Sequence, residues 1–202
     1  TDFNEGTILF VTSQIDYALF LVNTDKEKEA LEILYDGEKQ LAQLDLKTDA
    51  ESKESGLNAK TDLNEQLLPL KGTLKFYLGC LYRNPDPDKA ISYFEEALKF
   101  FNEAIKVTQL SNEALSCMAD THRHYARLLV KSDPNGAIKH ICLAREIFTL
   151  LQTQNEESKS AIAISLFELD LLAGDIFNDK SLPELKNSQK AIDAFCQAEK
   201  DF

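Results

Sequence analysis

The sequence predicts an all-α fold of about eight helices, arranged as four antiparallel hairpins with no sheet. Three observations carry that expectation. A pair of small-and-large signatures recurs four times, alternating apolar/polar strand patterns are absent, and 7 Gly and 5 Pro in 202 residues are too few for a turn-rich β fold. The second signature of each pair reads Ala30-x3-Leu34-x2-Gly37, Ala90-x3-Phe94-x2-Ala97, Ala137-x3-Ile141-x2-Ala144 and Ala191-x3-Phe195-x2-Ala198. Ahead of these lie Tyr17-Ala18-x2-Leu21, Leu78-Gly79-x2-Tyr82, Tyr125-Ala126-x2-Leu129 and Ala173-Gly174-x2-Phe177. A small residue on each of two helices lets their backbones approach, and the large residues interdigitate around the contact.

The first helix is expected from about Gly6 to Val22, on Leu9, Phe10, Ile15, Leu19 and Phe20. Thr24-x-x-Glu27 reads as a capping box opening a second helix to about Leu46. The polar stretch at about 47–65 reads as a linker or insertion, although its Glu, Lys and Ala content also allows helix ends to reach into it. A third helix follows on Leu70, Leu74, Tyr77, Leu78 and Leu81. In the turn after it, Asp86 is a cap and Pro87 a first helical residue, opening a fourth helix to about Val107. The fifth helix covers about Ser111 to Lys131, and Asp133-Pro134 repeats the cap-then-proline opening for a sixth, Asn135 to about Gln152. A seventh spans about Glu156 to Phe177, and an eighth runs from near Pro183 to the last residue. The hairpins are thus about 6–46, 66–108, 111–152 and 156–202, forming one domain across 1–202.

No apolar run approaches 18 residues, because Thr12, Ser13, Gln14 and Asp16 interrupt Ile8 to Val22; the sequence reading therefore excludes a membrane span. The chain opens on Thr1, which reads as a fragment or trimmed chain. A net charge of −12 repels phosphate backbones and anionic lipid, which argues against nucleic-acid or membrane binding and leaves a protein or peptide partner. Cys80, Cys117, Cys142 and Cys196 fall in helical patterns without a CxxC, so buried free thiols in a reducing intracellular compartment, cytoplasmic or nuclear, are expected.

The paired signatures resemble the tetratricopeptide repeat, whose pattern is Leu-Gly-x2-Tyr followed by Ala-x3-Phe-x2-Ala. Leu78-Gly79-x2-Tyr82 with Ala90-x3-Phe94-x2-Ala97 is the best match. The resemblance implies a right-handed superhelical array of hairpins, a helical solenoid with a peptide-binding groove. Recurrence every 60, 47 and 54 residues departs from the family's 34, so the helices are longer or the joints are loops.

Asp120, His122 and His124, with Cys117 nearby, have metal-ligand composition; Asp120 and His124 are four apart and share a helix face. This supports a metal-binding or enzymatic alternative. His122, however, falls where the family places a core-facing residue, and no GxSxG, phosphate loop or HExxH is present. No catalytic residue, metal or cofactor is therefore assigned. The groove positions implied by the resemblance are Thr12, Ile15, Leu19 and Val22 in the first unit and Phe76, Arg83 and Asn84 in the second. Asp120, Arg123, Arg127 and Lys131 fall there in the third, and Glu168, Leu171 and Asp175 in the fourth. Arg123 and Arg127 are four apart and can grip one carboxylate or phosphate. The expected partner-binding set is accordingly Phe76, Arg83, Asn84, Arg123, Arg127 and Lys131, meeting an acidic or phosphorylated stretch. The expected function is a non-enzymatic adaptor or scaffold, possible subunit of a larger complex. The alternative is an acidic chaperone or transport adaptor for a basic partner such as a histone.

Overall fold

A computed structural model describes residues 2–55, 58–154 and 159–178. Among these residues the protein is all-helical, with α1 Asp2–Val22, α2 Glu27–Ser55, α3 Asn58–Tyr82, α4 Pro87–Ala104, α5 Asn112–Leu129, α6 Pro134–Gln154 and α7 Lys159–Asn178. The expected eighth helix, with Ala191, Phe195 and Ala198, lies outside the described residues. The chain divides into two compact units, Thr1–Ala114 and Leu115–Phe202.

Local chemistry sets the turns. Helix α1 ends on a left-handed residue, Asp25 (φ 60). The Lys26 amide donates back to Leu21 and the Asp25 amide to Val22, a pair of bonds that satisfies the last carbonyls. The expected capping box does not form, because the Thr24 hydroxyl donates to the Phe20 and Leu21 carbonyls of the helix it leaves. At the next two turns the expectation holds. Asp86 accepts from the Lys89 amide with Pro87 behind it, and Asp133 accepts from the Gly136 amide ahead of α6. Ser111 caps α5 by accepting from the Ala114 amide. The polar stretch at 47–65 is helical through Ser55 and again from Asn58.

In the first unit, α1 buries Val11, Ile15, Ala18 and Leu21, at helical spacing, against Ala30, Leu34, Leu41 and Leu44 of α2 and Leu67, Leu74 and Leu78 of α3. Helix α4 packs antiparallel on α3. Phe94 faces Gly79 and Phe101 faces Gly72, seven residues apart on both helices. A Cβ on Gly79 would stand 2.5 Å from the Phe94 ring, the close small-to-large contact that the signature describes. In the second unit, Ala119 and Ala126 of α5 share a core with Ile138, Ile141, Ala144 and Phe148 of α6 and Leu169, Ala173 and Ile176 of α7. On α7 the buried small residue is Ala173, whereas a Cβ on Gly174 meets nothing within 4 Å.

Two expectations need correction. Helix α1 is, by length and composition, apolar enough over Asn4–Val22 to cross a membrane, with a mean hydropathy of 1.2. Thr12, Ser13 and Gln14 interrupt the run without adding charge, so they lower hydropathy too little to exclude it. Cys80 and Cys117 are free thiols, but Cys142 is disulfide-bonded, which removes the argument for a reducing compartment at that residue.

Candidate functional site

In the second unit, Arg123 projects from α5 into a cluster of carboxylates. Its Nε and Nη2 donate to Asp120 Oδ1 at 2.9 and 2.7 Å, and its Nη1 donates to Glu168 of α7. The Arg127 guanidinium stands 3.6 Å from the same Glu168 carboxylate. Arg123, Arg127 and Glu168 therefore meet, but the charges neutralise one another. Exposure separates the two arginines: the Arg123 side chain is 14% exposed and that of Arg127 44%. Burial, countered by Arg123 and reinforced by Glu168, raises the Asp120 carboxyl above its ordinary value. Lys131 is exposed in the turn after α5.

The residues assigned to a partner in the first unit divide differently. Phe76 is 6% exposed, tilted against Tyr77 and Phe94, so it is a core residue and offers no anchor surface. Arg83 is partly buried at the end of α3, and Asn84 is exposed in the turn.

The candidate metal cluster does not assemble. Two residues apart on a helix point to nearly opposite sides, so His122 turns into the α5/α6 interface while Asp120 and His124 flank Arg123. No group of three potential ligands that could hold a metal ion occurs among the described residues. His122 Nδ1 lies 2.8 Å from His140 Nδ1, and the Tyr125 ring is tilted against His140 with centroids 4.4 Å apart. Burial first, and the neighbouring His140 second, push the His122 pKa down to about 3. Its ring is neutral, with one imidazole of the pair donating and the other accepting.

The groove above α3, between α2 and α4, escaped the sequence reading. Lys71 reaches both oxygens of Asp45 at 2.6 and 2.5 Å, and Lys75 reaches Glu38 and Glu96 at 2.5 Å each. Burial opposes the charge on Lys75, yet these two carboxylates raise its pKa. At one end three tyrosines surround Lys89: its ammonium lies 3.8 Å above the Tyr82 ring and donates to Tyr35 Oη at 3.1 Å. Tyr35 Oη also meets Tyr82 Oη at 2.8 Å and Tyr93 Oη at 3.2 Å. Hydrogen bonds to Tyr82 and Tyr35 raise the Lys89 pKa. A signal was present: Tyr35, Glu38, Ala42 and Asp45 on α2 and Lys89, Tyr93, Glu96 and Phe100 on α4 follow helical spacing.

A second surface lies on α1. Leu9, Phe10, Tyr17 and Phe20 are each more than half exposed, on the side away from Val11, Ile15, Ala18 and Leu21. Tyr17 and Phe20 stack at 6.3 Å. In comparison with known proteins, no family model, no curated protein and no solved structure matches this chain.

Proposed function

We propose that this chain is a non-enzymatic helical scaffold that binds a protein partner, and that α1 carries the principal contact. The observation behind the proposal is the second apolar stripe of α1. A helix that already buries one apolar face has no folding reason to expose Leu9, Phe10, Tyr17 and Phe20 on the other. An aromatic-rich stripe of that kind is what interface cores use. The tetratricopeptide-like array remains part of the proposal. It is supported by Gly79 against Phe94, and by Ala18, Ala30, Ala126 and Ala137 buried at their signature positions.

The acidic-ligand reading of the groove narrows to Arg127 and Lys131, because Arg123 already has two carboxylates. The metal or enzymatic alternative loses its basis in His122, whose ring is directed at His140. A basic partner gains ground instead, for reasons of charge in the first unit. The test is affinity capture with wild-type protein and with Leu9→Gln plus Phe20→Gln, two residues that keep helix propensity. The scaffold reading expects unchanged helicity and loss of a discrete set of bound proteins. Identical sets from both proteins overturn the α1 assignment.

A further inference from the structure

The groove above α3 contains an apolar slot of about 180 Å³ with a charged mouth. Leu41 and Leu74 form its floor, and Ala42 and the Phe100 ring form its sides. The ion pairs Lys71–Asp45 and Glu38–Lys75–Glu96 stand around it. Drug-sized or cofactor pockets run to roughly 300–1,000 Å³, so this slot is too small for such a molecule and suits one anchoring side chain. The charges at the mouth are not evenly presented. The lysine side chains are 13–14% exposed, whereas those of Glu38, Asp45 and Glu96 are 35%, 42% and 49% exposed. Each ammonium is thus covered by a carboxylate whose other side faces solvent, and the mouth is anionic although its floor is apolar.

We propose that this slot is a docking site for an amphipathic protein segment that inserts one bulky apolar side chain and sets Arg or Lys against Glu38, Asp45 and Glu96. The inference rests on the scaffold reading and names the partner's chemistry for a site separate from the α1 stripe. A guanidinium arriving at the rim adds a counter-charge to carboxylates already half in water, so little desolvation opposes it. An acidic segment meets the same carboxylates with like charge and is rejected. The chain's net charge of −12 acts in the same direction at long range, favouring encounter with a basic segment.

The test uses two fluorescein-labelled helical peptides that differ only in charge. One has a central Leu flanked one helical turn on each side by Arg; its twin has Glu at both flanks. The Arg peptide is expected to bind, to weaken as salt rises, and to exceed its twin at least tenfold. Ala42→Trp, which fills the slot from an exposed position, should weaken the Arg peptide at least tenfold. Glu96→Gln should weaken it several-fold without improving the twin by the same factor. The second variant keeps the test informative if the tryptophan disturbs folding. Equal binding of the twins, indifference to both variants, or no binding by the Arg peptide overturns the proposal. A concentration-dependent dimer of wild-type protein that Ala42→Trp abolishes also overturns it, since a second copy would then own the slot. Leu9→Gln plus Phe20→Gln should leave peptide binding intact. If the peptide fails while α1-dependent capture persists, the slot assignment falls and the scaffold reading stands.

Discussion

Mild acid should destabilise the second unit through His122. This ring is 4% exposed, and its Nδ1 is 2.8 Å from His140 Nδ1, with Tyr125 tilted against the far ring. Unfolded, His122 takes a proton near the ordinary imidazole value of 6.5; folded, it resists until about 3. A base whose folded pKa is depressed lends full stability above its unfolded pKa, and that stability declines as pH falls through the interval between the two values. The slope approaches ~1.4 kcal/mol per pH unit, so lowering the pH from 7 to 5 should remove about 2 kcal/mol. Against a domain stability of roughly 5–15 kcal/mol, that loss is readily measured. Asp120, whose pKa is raised, contributes with the opposite sign and only near the carboxylate range, so it does not mimic the effect. Urea denaturation at pH 7, 6 and 5, with hydrogen exchange over 115–154 to localise the change, measures it directly. His122→Gln keeps a polar group but cannot titrate, and should flatten the profile between pH 7 and 5. A wild-type profile that is already flat, or an equal decline in His122→Gln, would refute the buried neutral pair.

Other consequences are simpler. Gly79→Ala gains about 1 kcal/mol of helix propensity but drives a Cβ to 2.5 Å from the Phe94 ring; overpacking at about 1–3 kcal/mol wins, and the urea midpoint should fall. Gly6→Ala, with nothing within 4 Å, should be neutral or slightly stabilising in the same assay. Arg123→Gln leaves Asp120 without its principal counter-charge and should cost about 3 kcal/mol, whereas Arg127→Gln, on a more exposed side chain, should cost under ~1 kcal/mol. Thiol titration of denatured, unreduced protein should find fewer than four reactive cysteines, because Cys142 is bonded; four would contradict the disulfide.

What the sequence made legible is what short-range chemistry determines. Asp86-Pro87 and Asp133-Pro134 open helices because cap and proline act within one turn, and the Gly79/Phe94 contact is written in a local motif. Thr24 misled because its hydroxyl donates back to the Phe20 and Leu21 carbonyls of the helix it leaves. The 47–65 stretch is helical through Ser55 and from Asn58, the reading its Glu, Lys and Ala content allowed beside a linker, because polar composition alone does not separate a helix from a loop. Phe76 misled because groove positions were carried onto helices longer than those of the family that supplied them, and the ring lies under α4 instead. The Arg123–Glu168 and His122–His140 contacts needed the adjacency of α5 with α7 and with α6, which no single helix encodes. The slot was missed for the same reason, as its nine lining residues come from three helices.

The central claim, that the outer stripe of α1 is a protein contact surface, is tested most directly by photo-crosslinking from Phe20. A benzophenone amino acid at Phe20 is compared with the same group at exposed Lys99 on α4, in the cells from which the protein comes. The account predicts a discrete protein adduct from position 20, absent from position 99 and lost when Leu9 is also changed to Gln. Adducts to lipid alone, or the same pattern from both positions, would contradict it.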